Sequence, residues 1–191
     1  RLLGENHPSV ATSLNNLAEL YRSQGRYEQA EPLYLQALEL RKRLLGENHP
    51  DVAQSLNNLA ELYRSQGRYE QAEPLYLQAL ELWKRLLGED HPNVATSLNN
   101  LAALYHSQGR YEQAEPLYLQ ALELCERVLG VNHPNTIIFR KNLTILRNEM
   151  THTIPKQKAK PKHKGGFGSE HLTSNVNQPL KKTKGKSKKK M

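Results

Sequence analysis

The sequence predicts an all-α solenoid of stacked helical hairpins, and three observations carry that prediction. Histidine-proline pairs recur at His7, His49, His91 and His133, a fixed period of 42 residues, and self-similarity of this length signals a stacked repeat architecture. Within each unit the apolar residues fall at helical spacing. Proline and glycine stand where helices start and stop.

The elements follow in order. Arg1–Lys42 and Arg43–Lys84 differ only at Ser9/Asp51, Thr12/Gln54 and Arg41/Trp83, so the units are near-duplicates. Pro8, Pro50 and Pro92 suit a first helical turn, where proline loses no hydrogen bond and its fixed φ is already helical. Gly25, Gly67 and Gly109 fit a left-handed C-cap about four turns later. A short "GRY" connection then opens a second helix that ends at Gly46, Gly88 or Gly130. Pro32, Pro74 and Pro116 fall just past its first turn, where a slight bend is expected rather than a break. The hairpins span about 8–45, 50–87 and 92–129.

In the first helix Val10, Leu14, Leu17, Ala18 and Tyr21 form one stripe; in the second, Tyr27, Ala30, Tyr34, Ala37, Leu38 and Leu44 do the same. Alanines mark close helix approach and tyrosines fill the space between. One hairpin cannot enclose such faces, whereas stacked hairpins can. A fourth unit is incomplete: "HPNTIIFRKNLTILRNEM" places Arg140 where Leu98 stood and Arg147 where Tyr105 stood. A terminal helix facing water should lose apolar residues in this way, so 134–150 is expected to be a C-terminal capping helix.

Leu14, Leu17, Ala18, Tyr21, Gly25, Tyr27, Ala30, Tyr34 and Ala37 resemble, in order and spacing, the tetratricopeptide repeat. The match covers roughly the first 130 residues. The usual repeat has ~34 residues, and Lys42 stands where a closing proline is common. The longer unit and its "LGENHP" connection resemble the 42-residue variant of kinesin light chains, and "HPxVAxSLNNLAxLY" is similar to that subgroup's wording. The resemblance implies a right-handed solenoid over 1–150 whose first helices line a concave groove that holds an extended peptide or partner protein.

Each first helix carries a pair of amides, Asn15-Asn16, Asn57-Asn58 and Asn99-Asn100, although Asn is a poor helix former. By the resemblance these are groove positions. A carboxamide offers donors and an acceptor, so it can bond a peptide backbone whatever the side chains. The alternative is that Asn16 and its equivalents bond neighbouring helix backbones and Asn15 is ordinary surface. The positions that vary between copies, Ser9/Asp51/Asn93, Thr12/Gln54/Thr96, Glu19/Glu61/Ala103 and Arg22/Arg64/His106, fall on one arc of the first helix, opposite the apolar stripe. Glu19, Arg22, Glu61, Arg64 and His106 would therefore supply selectivity beside the amides.

Charge divides the chain. Residues 151–191 hold 12 Lys and one acid, while the preceding 150 hold 15 basic and 18 acidic residues. The tail is poor in apolar residues and is expected to be disordered. Its "KKTKGKSKKK", Lys181–Lys190, could make weak nonspecific contact with nucleic acid or an acidic surface, but it has no Arg or interleaved aromatics for base recognition.

A metal role for the four repeat histidines conflicts with geometry. Ligands converge within ~2.1 Å of one ion, and stacked helices stand ~8–10 Å apart. These histidines are expected to serve the helix starts, and no cofactor is implied. Cys125 has no evident base partner and "GGFG" at 165–168 lacks the context of a phosphate loop, so no enzymatic activity is expected. With one cysteine, no ~18-residue apolar run and no signal pattern, the expected setting is cytoplasmic. The chain opens in mid-pattern, since "RLLG" at its start repeats Arg43–Gly46 and Arg85–Gly88. A fragment of a larger protein therefore stays open, either a kinesin-light-chain-like cargo adaptor or the repeat arm of a nucleotide-binding or protease-type signalling protein.

Overall fold

Proline just inside each first helix and glycine just past each second one set the boundaries seen in the computed structural model, which describes residues 7–153. Seven helices follow one another among these residues: α1 Pro8–Ser23, α2 Tyr27–Leu45, α3 Pro50–Ser65, α4 Tyr69–Leu87, α5 Pro92–Ser107, α6 Tyr111–Leu129 and α7 Pro134–Thr153. The second helices run unbroken through Pro32, Pro74 and Pro116. The last helix continues past the expected end at Met150, and Thr151 bonds back to the Asn148 carbonyl at 2.8 Å. The tail expectation, including Lys181–Lys190, lies from residue 154 onward outside the described residues.

The histidines find their role at the helix starts. His49 is the N-cap of α3, and its Nδ1 accepts from the Asp51 backbone N–H at 3.1 Å. His91 and His133 accept in the same way from Asn93 and Asn135 at 3.1 and 3.2 Å. Each satisfies one of the orphan N–H groups at a helix start. At the other end of α3, Gly67 takes φ +73°. This lets Gly67 N–H reach Arg64 O at 3.0 Å and Arg68 N–H reach Tyr63 O at 2.8 Å, the paired bonds that close a helix on a left-handed residue.

The helices pair as antiparallel hairpins α1–α2, α3–α4 and α5–α6. Each second helix packs on the next first helix, and the first helices α1, α3, α5 and α7 touch in turn. One apolar core runs through this stack. Ala18, Ala30, Ala60, Ala72, Ala102 and Ala114 are completely buried where helices approach, and Tyr34, Tyr76 and Tyr118 fill the space between them.

The expected stripe of the first unit needs correcting at its edge. Leu59 and Leu101 are 2% and 3% exposed, but their equivalent Leu17 is 39% exposed, and Val10, Leu14 and Tyr21 are only half-buried. Nothing among the described residues stacks on the outer face of α1, so Leu17 forgoes the roughly 1.5–3 kcal/mol that full burial contributes. Leu44 is also exposed, and Leu40 and Arg41 take the buried places at that end of α2. At the other edge Arg147 binds Glu115 at 2.7 Å and Arg140 binds Glu126 at 2.6 Å. The exchange to polar residues is confined to those positions, because Ile137, Ile138 and Ile145 of α7 remain exposed.

The variable set also includes a buried position. Arg41, Trp83 and Cys125 occupy equivalent places and are all buried. Arg41 donates to Asp51 O at 3.1 Å and to Ser55 Oγ at 2.8 Å. At the cap Thr136 donates to Cys125 Sγ at 3.3 Å. Arg41 and Cys125 thus meet the start of the next helix, so this buried site is not part of the solvent-facing variation.

Candidate peptide-binding groove

The first helices present one side to their own hairpin partners and the other to open space. Along that open side the amides form rungs between units. Asn58 Nδ2 donates to Asn15 Oδ1, Asn100 Nδ2 to Asn57 Oδ1 and Asn142 Nδ2 to Asn99 Oδ1, each at 3.0 Å. Neither sequence reading of the pairs describes this arrangement: the second amide of one unit is bonded to the first amide of the unit before it, side chain to side chain. Asn15 and Asn99 are buried and Asn57, Asn58 and Asn100 half-buried, while Asn16, at the open edge, is exposed. A rung uses one donor of one amide and one lone pair of the other. Further capacity on each group is therefore compatible with a ligand.

The charged candidates form a second line. Arg22 binds Glu19 three residues before it and lies 3.6 Å from Glu61 of the next unit. Arg64 grips Glu61 with Nε at 2.9 Å and Nη2 at 2.6 Å, and its Nη1 reaches Ser107 Oγ at 3.3 Å. His106 Nε2 lies 2.8 Å from Glu149 Oε2. Tyrosines from the second helices reach the same carboxylates, since Tyr34 donates to Glu19 and Tyr76 to Glu61, both at 2.6 Å. Burial pushes Glu61 up, but the Arg64 guanidinium and the Tyr76 hydroxyl outweigh it and hold this carboxyl below its usual range. Arg22 holds Glu19 low in the same way.

A second set of bonds joins consecutive units. Arg68 binds Glu31 at 2.6 Å and lies over the Tyr63 ring at 4.2 Å, and Tyr63 donates to Glu31 at 3.0 Å. Arg110, Glu73 and Tyr105 repeat that arrangement. These residues lock the register of the stack and lie apart from the candidates.

Six of the sequence candidates meet around one cavity of about 470 Å³: Arg22, Glu61, Arg64, Asn99, Asn100 and His106. Asn15, Asn16, Glu19, Asn57 and Asn58 lie on the same helices but do not line it. Ala103, noted in the sequence only as a varying position, and Ser107, Tyr118 and Asn142, which the sequence reading did not put forward as site residues, complete the wall. Ala103 carried a signal, because it stands where the other units have Glu. Among the described residues no cluster of His, Cys, Asp or Glu could hold a metal, and no helix is long and apolar enough to cross a membrane.

Stacked antiparallel helix pairs with a polar first-helix face define a helical-repeat scaffold. The tetratricopeptide repeat profile matches residues 9–81, 51–126 and 98–152, and the chain belongs to that family, whose tandem units serve protein interaction. It is similar in structure to the nearly identical TPR-like repeats assigned to a kinesin light chain of Podosopora anserina, with 26% identity and TM-score 0.68 over 76% of this chain and 69% of that one. BtubC (BKLC) from P. vanneervenii shares the fold at 24% identity and TM-score 0.58, over 87% and 73%. The first TPR of Spaghetti (RPAP3), bound to the HSP90 peptide SRMEEVD, shares it at 17% and 0.53, over 76% and 96%. No curated protein matches the chain by sequence.

Proposed function

We propose that the protein is a non-enzymatic scaffold that binds an extended peptide or partner segment along the open side of α1, α3 and α5. One observation carries this reading: side chains from three successive units and the capping helix converge on a single polar cavity, wide enough for more than one side chain. Amides near it have hydrogen-bonding capacity beyond their rungs and can meet a peptide backbone, while Arg22, Arg64 and His106 select among side chains. That the Spaghetti TPR holds a peptide supports only the capacity of such a fold to do so, since that likeness is one of fold alone. The same reading sets the protein in the cytoplasm, consistent with its one cysteine, Cys125, buried and unpaired.

The test is a peptide array probed with the full chain and with Arg64→Glu. The expected result is a defined set of bound peptides whose composition changes on charge reversal. A set identical for both proteins would move the binding surface off this face.

A further inference from the structure

The outer face of α1 repeats, residue for residue, a face that the stack covers twice. Val10, Ser13, Leu14, Leu17 and Leu20 recur unchanged 42 and 84 positions on, in α3 and α5. These two helices pack on the second helix of the unit before, α2 and α4. There Leu59 and Leu62 are 2% and 0% exposed, whereas Leu17 and Leu20 are 39% and 50% exposed. Ser9, Val10, Ser13, Leu14 and Leu17 instead line an open cavity of about 270 Å³. A cation stands open beside it. Arg68 and Arg110 bind Glu31 and Glu73 of the unit before at 2.6 and 2.8 Å. Their equivalent Arg26 lies over the Tyr21 ring and bonds Gln24 and Gln29, and among the described residues it forms no ion pair.

The matching half of this interface lies at the other end. The second helices share the sequence YEQAEPLYLQALEL over Tyr27–Leu40, Tyr69–Leu82 and Tyr111–Leu124. The seat that α2 gives α3, and α4 gives α5, thus exists a third time on α6, where α7 holds it. α7 departs from the pattern of α1, α3 and α5. Thr136, Phe139, Arg140 and Arg147 stand where α1 has Val10, Ser13, Leu14 and Tyr21. It is held by buried Leu143 and Leu146 and by the ion pairs Arg140–Glu126 and Arg147–Glu115. Glu115 is the equivalent of Glu31 and Glu73, so α6 owns the carboxylate that Arg26 lacks.

We propose that α1 of one copy of the chain docks on α6 of a second copy, in the seat that α7 holds, as α3 sits on α2 and α5 on α4. Leu17 and Leu20 are then buried, and Arg26 binds Glu115 of the second copy. α7 is the stopper that blocks this assembly. Each copy offers one α1 and one α6, so the contact is head-to-tail and propagates as an open chain of copies. Its tether favours α7, because a segment on a short linker competes at an effective concentration in the millimolar range. The chain is therefore monomeric when dilute and associates when concentrated. Apparent affinity follows the fraction of copies whose α7 is released.

The lone cysteine gives a direct readout. Cys125 is buried in this seat with Thr136 Oγ 3.3 Å from its Sγ, and Val10 is the α1 equivalent of Thr136. The full chain carrying Val10→Cys, concentrated with oxidised glutathione, should give a ladder of disulfide-linked copies on a non-reducing gel. Mass spectrometry should find position 10 of one copy joined to Cys125 of the next, a bond that forms only where the two Cβ atoms come close. Adding Leu17→Glu puts an unpaired charge on the docking face and should slow the initial linking rate at least about tenfold, with helical circular dichroism unchanged. Adding Leu146→Ala instead loosens α7 and should raise that rate about tenfold or more at equal protein concentration. Should Leu146→Ala lose helical content, Arg147→Ala takes its place, removes only the pair to Glu115 and should raise the rate by a smaller factor.

Links from position 10 to position 10 would pair two α1 faces and overturn the proposal. So would linking that Leu17→Glu does not slow, or that a loosened α7 does not speed. Light scattering of the protein without Val10→Cys checks the reversible step. Its mass should rise with concentration and fall again on dilution, and a monomer mass at every concentration, for wild type and Leu146→Ala alike, would equally overturn it.

Discussion

Asn58 Nδ2 donates to Asn15 Oδ1 at 3.0 Å although the two residues stand 43 positions apart. The bond ties the second amide of one unit to the first amide of the unit before it, and it recurs up to the cap, where Asn142 meets Asn99. The amides thus have a structural use on the face proposed for ligand binding. The helix accepts two poor formers in succession because the pair closes contacts with the units on both sides.

Changing Asn57 and Asn99 together to Ala should remove the rungs from Asn100 and Asn142. Each is worth ~0.5–1.5 kcal/mol, with more lost where a partner amide is left buried and unpaired. Ala is the better helix former and returns part of this. The expected net result is a melting temperature several degrees lower by circular dichroism with helical content kept. A melting curve unchanged from wild type would mean that the rungs contribute nothing to stacking.

The rungs also show where sequence reasoning reached its limit. Pro50, Gly67 and the burial of Ala60 and Ala72 were legible because each follows from chemistry within a few residues, and a period of 42 repeats that local information along the chain. The amide partners were not legible, because period alone does not say which residue of one unit touches which of the next. The burial of Arg41 was not legible for the same reason. Arg41 varies between units as a surface residue would, yet it is 7% exposed and its contacts are Asp51 and Ser55 of the next helix. Leu17 carries the same letters around it as Leu59 and differs only in having no unit stacked on it. The candidate site was half legible: the charged positions were found, whereas Tyr118 was hidden in the second-helix stripe as an ordinary core aromatic.

That view of Arg41 makes a prediction. Arg41→Trp copies Trp83, the buried residue at this place in the second unit, so it should fit and leave the melting temperature unchanged or higher. Replacing a buried polar arrangement by a well-packed apolar side chain is often neutral or stabilising. Arg41→Ala should cost about 2–4 kcal/mol, because it opens a cavity and leaves the buried Ser55 hydroxyl without its donor. Chemical denaturation of the two variants checks the ordering.

Gly67→Ala isolates a backbone effect. A Cβ at this position would meet nothing within 4 Å, so no steric clash is involved, but φ is +73°. A left-handed conformation costs an L-residue roughly 1–2 kcal/mol, and the melting temperature should fall accordingly. Gly67→Asn should recover part of the loss, since Asn tolerates that region better.

The last prediction concerns pH. Arg22, Arg68 and Arg110 hold Glu19, Glu31 and Glu73 below the usual value of 4.5, and Glu61 is held low by Arg64 and Tyr76 against its own burial. A carboxyl whose folded pKa is depressed takes up protons more readily when unfolded, so it stabilises the fold fully above the unfolded value. That contribution is lost as pH falls through the folded value. The melting temperature should therefore be insensitive to these groups at neutral pH and should drop progressively below about 4.5. Glu61 joins two units through Arg22 and Arg64. Glu61→Gln should lower the melting temperature at pH 7 and make its fall between pH 4.5 and 3 shallower than in wild type. Parallel curves for the two proteins over that interval would show that the Arg64–Glu61 pair does not couple protonation to folding.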